Sequence, residues 1–142
     1  MTEDLRRAKE ALDADETVTL AVCSDGELTV SREKGIRPLL ALAQDGADLK
    51  DACAADRIVG KAAAMLYALM GVKEVYAQVL GKKGSAVLER YGIAYAYDTL
   101  TENIINRSGT GLCPMEEAVK DVEEPREAFA AIEKKVEQLR KA

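Results

Sequence analysis

Cys113 stands between a glycine-rich loop and a proline, in the stretch Ile104-Ile105-Asn106-Arg107-Ser108-Gly109-Thr110-Gly111-Leu112-Cys113-Pro114-Met115-Glu116-Glu117. Proline suits the first position of a helix, where its missing N–H would be unpaired anyway. Cys113 is therefore expected at or beside an N-cap, where free backbone N–H groups and the helix dipole favour a thiolate or a bound anion. Each residue here has two readings. Cys113 is an activated thiolate or a small packed side chain. The amides of Gly109, Thr110 and Gly111 form an anion-binding nest, or the two glycines only permit positive φ in a turn. Glu116, the third helical residue, reaches back to cap its own helix or is the carboxylate placed to work with Cys113. Asn106 and Arg107 fork onto a ligand carboxylate or phosphate, or pair with surface acids.

Lys61 is the other residue with chemistry to offer. It falls one turn into an apolar helix read over residues 56–69. Its ammonium either snorkels to the wet edge of that helix or serves as a site cation, acting as a base if burial lowers its pKa. Asp56 is expected to cap the same helix, the alternative being a ligand contact or base. Cys23 and Cys53 read as packing residues.

Several chemistries are excluded. The 142 residues contain no histidine, which removes Ser-His-Asp and Cys-His catalysis and every His-ligated metal site. Three cysteines with no CxxC pair offer no metal set, and no cofactor is expected. A net charge of −5 without a basic block argues against nucleic acid. The longest apolar run, residues 62–71, is half the ~20 residues that span a bilayer, so it reads as a buried helix and no membrane partner is expected. Odd cysteine usage and no signal peptide point to the cytoplasm.

The elements that must position these groups follow from periodicity. A helix covers residues 2–12, with Leu5, Ala8, Ala11 and Leu12 on one stripe. A strand over 17–23 turns at 24–27 into a second over 28–30. Helices are expected over 35–42, from about 49, and over 56–69, the last closed by Gly71. A strand over 72–80, a loop over 81–85 and a helix over 86–91 come next, then a strand over 93–97 and an extended segment over 103–106. Helices over 114–122 and from Pro125 onward end the chain. With five Tyr, one Phe and no Trp, the core falls to Ala, Val, Leu and Ile. The pattern is α/β, with a hairpin supplying an antiparallel pair and strand–helix–strand crossovers supplying parallel ones. The last helix carries Ala128, Phe129, Ile132, Val136 and Leu139 on one face, which docks on its own sheet or pairs with a second subunit in a homodimer.

A hairpin followed by an apolar helix whose N-terminus faces a second one after the next strand resembles the cytidine-deaminase fold. More narrowly, the chain resembles the domain-of-unknown-function family 1893, small prokaryotic proteins placed in the deaminase-like superfamily. The residues that carry this are Asp56-Arg57-Ile58-Val59-Gly60-Lys61-Ala62-Ala63-Ala64, Val72-Lys73-Glu74-Val75-Tyr76-Ala77 and the run from Asn106 to Glu116, within residues 17–122. The resemblance implies a three-layer cytidine-deaminase-like α/β sheet, an N-terminal hairpin plus parallel strands, flanked by helices. It implies a single domain over 1–142, its core about 17–122, with an N-terminal helix 2–13 and a C-terminal helix 125–141. It brings no established activity.

The zinc motifs of that superfamily are missing. Zinc deaminases carry His/Cys-x-Glu at the start of the central helix and Pro-Cys-x-x-Cys at the next. This chain has Gly60-Lys61-Ala62 and Lys82-Lys83-Gly84-Ser85 there, and Cys113-Pro114 reverses the order one unit too late. The resemblance instead places the Lys61 ammonium where those enzymes hold their metal, and metal-free members with transformylase activity use a lysine near this place. The expectation is a protein that binds an anionic or nucleotide-like small molecule, with group transfer or hydrolysis centred on Lys61, Cys113 and Glu116. The alternatives are an interaction module using the last helix, and a thiol redox or sulfur-carrying protein using Cys113.

Overall fold

A computed structural model describes residues 1–106 and 108–141. Its frame is a five-stranded mixed sheet in the order β2-β1-β3-β4-β5. β1 (Leu20–Ser24) and β2 (Glu27–Ser31) form the expected hairpin. Its two loop residues, Asp25 and Gly26, have φ of 51° and 79°, the left-handed pair that matches the twist of a two-residue hairpin. β1 also pairs antiparallel with β3 (Ala52–Val59), whereas β3, β4 (Glu74–Gly81) and β5 (Ala94–Thr101) run parallel.

Helices cover both faces. α1 (Glu3–Ala14) starts at Thr2, whose hydroxyl accepts from the Leu5 amide, and lays Leu5, Ala8 and Leu12 on Ala21, Cys23, Cys53, Ala55 and Tyr76. The opposite face carries the larger core, built with α2 (Arg37–Gln44), α3 (Lys61–Met70), α4 (Lys82–Arg90) and α6 (Pro125–Lys141). Alternate residues of β3 supply both cores: Ala52 and Ala54 face the larger, Cys53 and Ala55 the smaller. Both cysteines are buried packing residues, as expected.

Several boundaries differ from the sequence reading, among them the strand read over 93–97, which runs over Ala94–Thr101. Residues 52–59 form the central strand rather than the start of a helix, and no helix begins near 49. Alanine favours helix, but a strand pressed by helices on both faces needs small side chains, and ladders on both edges override the local preference. Lys61 is consequently the first residue of α3, not one turn inside it, and Asp56 lies within β3 instead of capping α3. α4 begins directly at Lys82, where a loop was expected. α5 (Pro114–Ala118) is shorter than read, and residues 103–106 contribute only an isolated bridge, Ile105 to Leu112.

Two further contacts fix the frame. Arg57 on β3 reaches the C-terminal end of α1, donating to the carbonyls of Leu12 (2.7 Å), Asp15 (3.1 Å) and Val18 (2.9 Å). α6 buries Ala128 and Ile132 and packs on α2, α3 and α5, so its apolar face is used within the chain; Leu139 near its end is exposed. No described helix is long and apolar enough to cross a membrane.

Candidate functional site

β3 and β4 end alike, in Val59-Gly60-Lys61 and Leu80-Gly81-Lys82, and each passes straight into a helix. The two helix N-termini touch. A Cβ on Gly84 would lie 2.9 Å from the carbonyl carbon and oxygen of Gly60, and one on Gly81 would lie 3.7 Å from the Gly60 Cα. At Gly84 only glycine lets the backbones approach this closely.

Glu116 closes the first of these termini. Its Oε1 accepts from the Lys61 amide (2.7 Å) and its Oε2 from the Ala62 amide (2.8 Å), with 8% of the residue exposed. Gly60 has no side chain with which to cap α3, so a carboxylate from α5 does it across 55 residues of chain. The position demands glycine: a Cβ on Gly60 would stand 2.1 Å from Glu116 Oε1. Glu116 therefore caps α3 and not its own helix, the five-residue α5, whose first turn it occupies.

Lys61 and Glu116 are brought together, and the Lys61 ammonium reaches over to the carbonyl of Lys120 (3.1 Å). Between them is a hollow lined by Lys61, Lys83, Lys120, Glu102, Asn103 and Glu116, with Ile104 and Leu112 as apolar walls. Its volume is about 10 Å³, room for one water molecule. Lys82 pairs with Glu102 at the rim. Lys83, Lys120, Glu102 and Asn103 had escaped the sequence reading. The repeated apolar-Gly-Lys at two strand ends was the available signal, since it marks two helix starts at one end of the sheet.

The glycine loop behaves differently from a nest. Asn106 organises it: its Oδ1 accepts from the Thr110 amide (3.0 Å), its carbonyl from the Gly109 amide (3.1 Å), and its own amide donates to the Gly111 carbonyl (2.9 Å). The Gly109 and Thr110 donors are thus spent inside the loop, and Gly109 has the left-handed φ of 72°. Cys113 is the N-cap residue of α5, as expected, but its side chain makes no capping bond and is not part of the hollow's lining. Arg107 lies outside the described residues.

Asp56 belongs to a separate cluster. Its carboxylate accepts from the Tyr67 hydroxyl (2.7 Å). The residue as a whole is half-buried, yet the carboxyl is enclosed, and desolvation pushes its pKa up to about 6 against the pull of Tyr67 and the Arg57 and Ile58 amides. Among the described residues no group of three His, Cys, Asp or Glu side chains is placed to hold a metal ion.

The family model of TM1506, a domain of unknown function (DUF1893), matches residues 7–136. The chain belongs to the DUF1893 family. A DUF1893 family protein (TM1506) from Thermotoga maritima, solved by crystallography at 2.70 Å, superposes with a TM-score of 0.85 at 24% identity, covering 95% of this chain and 92% of that one. That likeness establishes a shared DUF1893 fold. No curated protein matches the chain.

Proposed function

We propose that this DUF1893 protein binds a small anionic molecule in the hollow at the carboxyl ends of β3, β4 and β5, within a cytidine-deaminase-like architecture that has lost the zinc set. Parallel sheets offer ligand crevices at this end of their strands. The strand order, the antiparallel β1 and the two facing helix N-termini support the architectural reading. The observation that carries the functional one is that Lys61 and Lys83 line a hollow beside a helix terminus already holding an anion, the Glu116 carboxylate. A ligand carboxylate or phosphate would meet the same kind of donors.

Binding is better supported than catalysis. Of the candidate nucleophiles, Lys61 lines the hollow and Cys113 does not. The present volume admits a single water, so a ligand would enter only by displacing side chains of the lining, among them Ile104 and Leu112. Thermal shift at fixed ionic strength tests this with inorganic phosphate, acetate and nucleoside monophosphates on wild type and on Lys61→Ala with Lys83→Ala. A ligand at ~100 times its Kd stabilises by about 2.7 kcal/mol, and this gain should vanish in the double variant. If no anion raises the wild-type melting point above matched chloride, the reading fails.

A further inference from the structure

The sheet has two edges of unlike character. β2 is five residues long and is followed by Arg32, Glu33 and Lys34, charges of the kind that guard an edge against pairing. β5 is eight residues long, Ala94-Tyr95-Ala96-Tyr97-Asp98-Thr99-Leu100-Thr101, with no Lys, Arg or Pro. Its one charge, Asp98, accepts a hydrogen bond from Tyr76 on the neighbouring strand (2.5 Å). Among the described residues no strand pairs with the outer side of β5. Tyr95 and Tyr97 stack along one of its faces, ring centroids 6.3 Å apart, and Tyr97 remains 44% exposed.

We propose that this edge is an interface with a second copy of the chain: β5 pairs antiparallel with its twin about a two-fold axis near Ala96, joining two sheets into one of ten strands. Two features favour a second copy over another occupant. An antiparallel pairing centred on Ala96 sets Tyr95 of each copy opposite Tyr97 of the other, so the half-covered aromatic stripe is self-complementary. α4 lies over β4 and β5, so two-fold pairing spaces the two α4 helices by about two strand separations, ~10 Å, which is the distance at which helices pack. Those helices meet near the axis at their Glu89 ends, where Glu89 accepts from the Tyr95 hydroxyl, and their Lys82 ends point away from each other.

Sedimentation velocity of the full chain across a concentration series tests the interface. Wild type should dimerise, and Tyr97→Lys, which puts a charge on the edge, should raise the dimer Kd by roughly tenfold or more. Ala96→Cys, on the axis, should cross-link to its twin under mild oxidation, an outcome independent of whether Tyr97→Lys keeps its fold. Leu139→Lys on α6 should leave the dimer unchanged. A wild type that stays monomeric at millimolar concentration overturns the proposal, as does a dimer lost in Leu139→Lys but kept in Tyr97→Lys, or an Ala96→Cys chain that never cross-links.

Discussion

Two carboxylates are drawn inside this protein, and they are held in opposite ways. Glu116 meets two backbone amides at the positive end of α3, donors that the helix leaves unpaired and aims outward before any side chain arrives. Asp56 sits mid-strand, where the backbone is committed to the sheet, and its enclosed carboxyl leans on one tyrosine hydroxyl and two local amides. The first arrangement uses a charge to complete a helix. The second keeps a charge at a cost: a pKa pushed from 3.8 to about 6 corresponds to ~3 kcal/mol of disfavoured ionisation. A buried acid is thus stabilising or destabilising according to whether the donors around it were already short of an acceptor.

Substitutions that break this contrast should differ in size. Gly60→Ala is expected to be the most damaging, by ~3–5 kcal/mol in chemical denaturation, because its Cβ would occupy the place of the Glu116 carboxylate and crowd Ile104. Glu116→Ala should cost about 2–4 kcal/mol by stranding two buried amides. In that background Gly60→Ala should cost far less than alone, since the clash partner is gone. An additive pair would show that the two positions act separately.

Asp56→Asn probes the other side of the contrast. The folded pKa lies above the unfolded one, so the proton contributes stability that is complete below about pH 4 and lost as pH rises through about 6. Wild type should therefore gain stability between pH 7.5 and pH 5 from this group, while Asp56→Asn flattens that rise and is ~1 kcal/mol or more the stabler at pH 7.5. Equal slopes in the two proteins would remove Asp56 as the titrating group. Lys61→Ala should have the smallest effect, under ~1 kcal/mol, since its ammonium contact with the Lys120 carbonyl is exposed. A larger loss in equilibrium unfolding would mean that Lys61 is structural.

The legible parts of the molecule were those whose signals are local. The Asp25-Gly26 turn, the α1 stripe, the Gly71 stop of α3 (φ 70°) and Cys113 as an N-cap all follow from neighbouring residues. β3 was not legible, because Ala52, Ala54 and Ala55 carry a helical preference that only packing on both faces of the sheet overrides. Of the site, Lys61 and Glu116 could be named from the sequence. Their relation could not, since a cap reaching from α5 to α3 leaves no periodic trace. The Gly109 loop misled in the other direction: it looks like an anion nest until Asn106 is seen to claim its amides.

The α1 helix carries a consequence for how the first fourteen residues can be handled. Of the three carbonyls that receive the Arg57 guanidinium, only that of Leu12 lies in α1, so cutting the helix away removes one acceptor and leaves those of Asp15 and Val18 in place. What the cut uncovers is the sheet face of Ala21, Cys23, Cys53, Ala55 and Tyr76, so a shortened protein without α1 should aggregate whatever residue stands at 57. The N-terminal helix is less an attachment than the lid of one of the protein's two interiors.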